Sequence, residues 1–158
     1  MKTFAILLLL SGILFGQTKA TVKPQLNLKA LSEPIQNLTP QDRKVVDDAV
    51  KLIDQGQHAE ALAALTRLTQ TNSQNSALRV LRAYTLLELG NVAAALDDAT
   101  IAESSGGHAA YRCWFLAQVA YLAGNKPLCH REINHVHSDP TYGPEAEKLR
   151  RTLDAHTH

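Results

Sequence analysis

The segments AVKLIDQG (residues 49–56), AYTLLELG (83–90) and AQVAYLAG (117–124) each begin with alanine, end with glycine and recur at intervals of 34 residues. A small residue also stands five positions after each of these glycines: Ala61, Ala95 and Cys129. A glycine can end a helix in a left-handed conformation without the steric cost of a Cβ atom, and small residues let two helices approach closely. The pattern therefore predicts three helical hairpins, because a fixed period of this length is typical of helix–turn–helix repeats.

This repeat pattern resembles that of the tetratricopeptide repeat family over residues 40–139. The resemblance implies an all-α fold, in which three antiparallel helix–turn–helix repeats and a C-terminal capping helix form a short right-handed α-solenoid. The expected repeats cover about residues 40–73, 74–107 and 108–141, and the expected capping helix covers about 144–156. Together, residues 39–158 are expected to form one repeat domain that works as an interaction scaffold and not as an enzyme.

The first 20 residues have the composition of a secretory signal peptide. Lys2 gives a positive start, and residues 4–15 are apolar apart from Ser11 and Gly12. A helix of 12 residues extends about 18 Å, which is too short for a hydrocarbon core of ~30 Å. We therefore expect an exported protein, periplasmic or secreted, with no membrane span once the signal peptide has been cleaved.

The chain expected after cleavage is nearly neutral. Removal of Lys2 and Lys19 changes the formal net charge from +1 to −1, which gives no reason to expect nucleic acid as a partner. Residues 21–38 then follow with two prolines and no clear period, so we expect a linker or an N-terminal arm. Self-association through an uncapped end of the repeat array is a further possibility.

The resemblance also implies a binding surface, because the first helix of each family repeat lines a concave groove. Six residues at groove positions are expected to contact a partner: Tyr84, Leu87, Tyr111, Trp114, Gln118 and Tyr121. The best-known peptide binders of the family hold a C-terminal carboxylate with lysines and asparagines, whereas this chain has valines and Tyr84 at such positions. We therefore expect a protein or peptide partner with apolar side chains. The alternative is that these residues pack neighbouring helices or are covered by the N-terminal arm.

The chain has two cysteines, Cys113 and Cys129. In an antiparallel third hairpin they are offset by about one helical turn, so their Cα atoms are expected to exceed the ~7 Å limit for a disulfide. We expect two buried free thiols, with a disulfide as the alternative.

Histidines are frequent near the C-terminus, at His130, His135, His137, His156 and His158. With Cys129 they suggest an alternative function, an extracytoplasmic metal-binding protein or enzyme. However, spacings of five and two residues do not place His130, His135 and His137 on one helix face. Phosphate-binding loops and serine-nucleophile motifs are missing from the sequence, and Asp97-Asp98 is interpreted as a solvated helix face. We therefore expect no catalytic residue, no cofactor and no metal.

Overall fold

A computed structural model describes residues 22–106 and 109–155, and the regular structure in those ranges is entirely helical. The helices are α1 (Ser32–Gln36), α2 (Pro40–Asp54), α3 (His58–Thr71), α4 (Ser76–Glu88), α5 (Val92–Ser105), α6 (Ala110–Leu122), α7 (Lys126–Val136) and α8 (Gly143–Ala155). None of these helices has both the length and the apolar character needed to cross a membrane. The signal peptide expected at residues 1–20 lies outside the described residues.

The helices pack as a linear array of hairpins. Helices α2 and α3, α4 and α5, and α6 and α7 pair through short turns, and each hairpin packs on the next through α3 with α4 and α5 with α6. Helix α8 packs on α7 and buries Ala146, Leu149 and Leu153. The expected all-α solenoid of three helical hairpins and a C-terminal capping helix is confirmed.

The three periodic glycines end the first helix of each hairpin. Gly56, Gly90 and Gly124 have φ values of 75°, 79° and 72°, in the left-handed region that glycine adopts without strain. The residue after each glycine donates its N–H to the carbonyl five residues earlier, at N–O distances of 2.8–2.9 Å. These are the hydrogen bonds of a Schellman motif. A Cβ atom at each glycine would meet open space, so the requirement for glycine comes from the backbone conformation.

The small residues of the repeat pattern lie where paired helices touch. All six of them are 0% exposed: Ala49, Ala61, Ala83, Ala95, Ala117 and Cys129. Side chains of this size allow the two helices of a hairpin to approach closely. The 34-residue period of the sequence therefore marks the positions where paired helices pack against each other.

A buried ionic network joins the first and second hairpins. Asp98 of α5 is 1% exposed and accepts hydrogen bonds from Arg79 (2.9 Å) and Arg82 (2.5 and 2.7 Å) of α4. Arg82 also donates to the Thr69 hydroxyl of α3 at 2.8 Å. The interpretation of Asp97-Asp98 as a solvated face is therefore wrong for Asp98, because two arginines one turn apart on α4 hold its carboxylate inside the array. Asp97 is exposed.

The segment before the repeats is more structured than a linker. It contains α1, and Leu31 and Leu38 on either side of α1 are 0% and 6% exposed within the main core. The Asn75 side chain donates to the Pro34 carbonyl at 2.7 Å and so ties α1 to the start of α4. We refer to residues 22–31 as the arm.

Candidate functional site

The expected groove residues differ in how much of their surface is free. Tyr111 and Gln118 of α6 are each 5% exposed. The other four, Tyr84, Leu87, Trp114 and Tyr121, are partly exposed. Trp114 is therefore accessible in part, whereas Tyr111 and Gln118 are already covered.

The arm covers Tyr111. Residues 22–27 are non-helical, and the Tyr111 hydroxyl donates to the Gln25 carbonyl (3.0 Å) and accepts the Asn27 N–H (3.0 Å). The Asn27 side-chain amide donates to the Tyr142 hydroxyl at 2.8 Å. Tyr142 in turn packs against Tyr111 with ring centroids 6.0 Å apart. One phenol hydroxyl thus holds the main chain of the arm at two points, so the arm lies over Tyr111.

The arm also contacts α4. The Lys23 ammonium lies 3.7 Å from the Glu88 carboxylate, which faces the His58 ring at 3.9 Å. Leu26 packs against the main core, and Val22 packs against the cluster formed by α6, α7 and α8. The arm therefore crosses from the second hairpin towards the C-terminal end of the array.

An open cleft of about 790 Å³ remains between the arm, α6 and α8. Its apolar wall includes Val22, Leu26, Trp114 and Leu149, and its polar lining includes the following residues: Lys23, Gln25, Asn27, Gln118, Tyr142, Glu145, Lys148 and Thr152. This volume is within the ~300–1,000 Å³ that is usual for binding pockets.

The cleft brings together three of the six expected groove residues, Tyr111, Trp114 and Gln118. Tyr84, Leu87 and Tyr121 are not among its lining residues. Sequence reasoning missed the contribution of Tyr142 and of the polar side of α8. The sequence signal for this contribution was Tyr142 itself, which stands directly before the capping helix in a segment that resembles an ordinary turn.

Burial controls the chemistry of the tyrosines. Burial raises the pKa of Tyr111 to about 12, against a smaller lowering by its hydrogen bond with the Asn27 backbone. Burial and the neighbouring Glu88 carboxylate also raise the pKa of Tyr84. Both phenols are therefore neutral at physiological pH and can donate hydrogen bonds, as the Tyr111 hydroxyl does to the arm.

Both cysteines are buried free thiols, as expected. Burial, followed by the charges of Glu132 and Glu103, raises the pKa of Cys113 to about 12. Burial alone raises the pKa of Cys129 to about 11. Near neutral pH each side chain is a thiol and not the reactive thiolate.

A second cluster of polar groups lies between α5, α6 and α7. Atoms of Glu103, Cys113, Glu132 and His135 that can bind metals all lie within 4.8 Å of one another, and the first three residues are buried. The cluster contains Cys113 and not Cys129, and its histidine is His135.

The other C-terminal histidines have different surroundings. His130 faces Asp154 at 3.6 Å, and His137 contacts the Asn134 carbonyl at 2.8 Å. His156 and His158 lie outside the described residues. The sequence carried one local signal for the cluster, which is the spacing of three residues between Glu132 and His135. It was missed because only cysteines and histidines were considered as ligands.

Comparison with known protein families supports the repeat period. Residues 52–97, from the end of α2 into α5, match the family model described as "Tetratricopeptide repeat". Searches of curated proteins and of solved structures returned no match.

Proposed function

The chain belongs to the tetratricopeptide repeat family, and we propose that it binds an extended segment of a protein partner in the cleft between the arm, α6 and α8. The family assignment supports a protein-interaction module. The choice of this cleft rests on its geometry and on its chemistry.

The observation that carries the proposal is the contact between Tyr111 and the arm. The Tyr111 hydroxyl bonds to a backbone carbonyl at residue 25 and a backbone N–H at residue 27 of one non-helical segment. This face of the array therefore already accommodates a polypeptide in irregular conformation through contacts with its main chain. A partner segment beside the arm would meet the same kind of surface.

The lining of the cleft indicates the kind of segment that fits. Trp114 offers partly exposed apolar surface, and tryptophan is one of the residue types enriched among the anchors of protein interfaces. Lys148 and Glu145 form an ion pair at 2.6 Å, so the polar edge has no strong net charge. We infer a partner segment with one or two large apolar side chains and little net charge.

We also propose that the protein acts outside the cytoplasm, because residues 1–20 have the composition of a signal peptide. Cleavage after Ala20 would leave a new N-terminus one residue before Val22, which lines the cleft. N-terminal sequencing of the protein recovered from its native host tests this step. A first residue at Thr21 supports export, whereas a chain that retains residues 1–20 contradicts it.

Selection from a random peptide library tests the binding function. Peptides enriched on the unmodified protein should lose affinity for Trp114→Ala by about 2 kcal/mol or more, the usual effect of truncating a central anchor. Leu89→Ala is the matched control, because Leu89 is 46% exposed and does not line the cleft. The Leu89→Ala variant should bind the same peptides with unchanged affinity.

Circular dichroism of both variants checks that their helix content is preserved. Failure to enrich any peptide contradicts the proposed function. Enriched peptides that bind Trp114→Ala as well as the unmodified protein contradict the choice of cleft.

A further inference from the structure

We propose that Glu103, Cys113, Glu132 and His135 form a zinc-binding site that joins α5, α6 and α7. The site is separate from the peptide cleft, and it shares only His135 with the cysteine and histidine group suggested by the sequence. The observation behind it is the convergence of four side chains of zinc-binding type from three helices, with all four ligand atoms within 4.8 Å of one another.

Zinc coordination by these four residues requires only small movements of their side chains. Zinc binds thiolate sulfur at about 2.3 Å and imidazole or carboxylate atoms at about 2.0–2.2 Å, so neighbouring ligand atoms in a tetrahedral site lie about 3.3–3.8 Å apart. The Glu132 carboxylate and His135 Nδ1 are already 3.2 Å apart. The widest pair therefore needs to close by no more than about 1.5 Å, given the 4.8 Å limit on the group.

The fold places each ligand on a rigid element. Glu132 and His135 are three residues apart on α7 and share one face of that helix. Glu103 lies near the end of α5, and Cys113 lies near the start of α6. A metal here would link the second hairpin to the third.

The burial of the two carboxylate ligands favours binding of a cation. Glu103 and Glu132 are 6% and 0% exposed, and buried carboxylates require close positive partners. Arg131 donates to Glu132 at 2.7 Å, but its own side chain is 55% exposed. The Arg112 guanidinium is 6% exposed and its charge acts on Cys113, so a divalent cation would add to positive charge already present beside the two carboxylates. The more exposed His135 gives the cation a route of entry.

Zinc binding by these four residues conserves atoms and charge. Zinc displaces the proton of the Cys113 thiol, which leaves to solvent, and forms bonds to sulfur, the imidazole and one oxygen of each carboxylate. The two carboxylates and the thiolate carry three negative charges, so the occupied site has a net charge of −1. Arg131, which already contacts Glu132, and Arg112, whose charge acts on Cys113, offset this charge. No oxidation or reduction is involved.

The two candidate sites share no residue. Trp114 lines the peptide cleft, whereas its neighbour Cys113 belongs to the polar cluster with α5 and α7. Failure of peptide binding and failure of zinc binding are therefore separate results, and neither implies the other.

The two cysteines provide a matched test. The untagged protein, kept reduced, should bind one equivalent of zinc in competition with a chromophoric chelator. Cobalt in place of zinc should produce a thiolate-to-cobalt charge-transfer band in the near ultraviolet. Cys113→Ser should abolish this band, whereas Cys129→Ser should retain it, although both thiols are buried.

A histidine pair gives a second test at positions that the fold tolerates well. His135 and His137 are both exposed near the end of α7. His135→Ala should weaken zinc binding at least about tenfold, since loss of outer-shell partners alone costs about 10–100-fold. His137→Ala should leave the zinc affinity unchanged.

Three results would overturn the proposal. The first is the absence of stoichiometric zinc at micromolar free metal. The second is cobalt binding without the charge-transfer band, which would exclude the Cys113 thiolate as a ligand. The third is equal zinc affinity in His135→Ala and His137→Ala.

Discussion

Replacing Tyr111 with phenylalanine should release the arm from the repeat array. The substitution removes one hydroxyl but keeps the ring that packs against Phe115 and Tyr142, with centroid distances of 6.2 and 6.0 Å. The arm then loses two hydrogen bonds, one from the Asn27 N–H and one to the Gln25 carbonyl. Both arm groups can bind water once the arm moves away, so only the net value of each bond is lost.

The expected size of this effect follows from the two bonds. Each hydrogen bond contributes a net of about 0.5–1.5 kcal/mol, so the pair contributes about 1–3 kcal/mol to closure of the arm. The population with an open arm should therefore rise by about 5- to 150-fold. Global unfolding should change less, because the arm is a peripheral element whose opening does not require the repeats to separate.

Limited proteolysis measures the open population directly. Trypsin can cut after Lys29, which is exposed and lies within the arm, and its rate follows the open population when opening is fast. Tyr121→Phe is the control, because it removes a hydroxyl from the same helix that holds neither Gln25 nor Asn27. Equal cleavage rates after Lys29 in Tyr111→Phe, Tyr121→Phe and the unmodified protein would refute the account of the arm.

Three further predictions follow from buried groups. Asp98→Ala should lower the free energy of unfolding by about 3 kcal/mol in urea denaturation, because it leaves two mostly buried arginines without their carboxylate. Asp97→Ala should change the free energy of unfolding by less than about 0.5 kcal/mol. Equal effects of the two substitutions would contradict the ionic network. Cys113 and Cys129 should resist thiol reagents in the folded protein and both react in denaturant, so that rapid reaction of either at pH 7 would contradict its burial. Burial raises the pKa of Tyr111 to about 12, so this phenol ionises at a lower pH in the unfolded chain than in the folded protein. Its contribution to the free energy of unfolding is therefore fully present below pH 10 and is lost as the pH rises towards 12. Tyr111→Phe should remove that part of the alkaline loss of stability, and an identical pH profile in the variant would contradict it.

The repeat architecture could be predicted because its determinants are local and recur. A glycine at each hairpin turn and two small residues around it define the hairpin within about a dozen residues of sequence. The structure bears this out through the positive φ values of Gly56, Gly90 and Gly124 and the complete burial of the six small residues.

The site depended on contacts that no local pattern encodes. The arm has no period of its own, and its hydrogen bonds to Tyr111 and Tyr142 join residues 84 and 115 positions apart. The partners of Asp98 are 16 and 19 residues away on another helix, so its sequence context suggested an exposed charge. The polar cluster likewise draws its ligands from three helices, of which only Glu132 and His135 are close in sequence.

The most direct test of the central claim uses the single tryptophan of the chain, Trp114. Its indole N–H gives one resonance in a proton–nitrogen correlation spectrum, and this residue lies in the wall of the cleft. A peptide selected on the protein should shift this resonance saturably, with the same dissociation constant as the binding itself. Binding that leaves the indole resonance unmoved, while amides on α3 and α5 shift, would contradict recognition in this cleft.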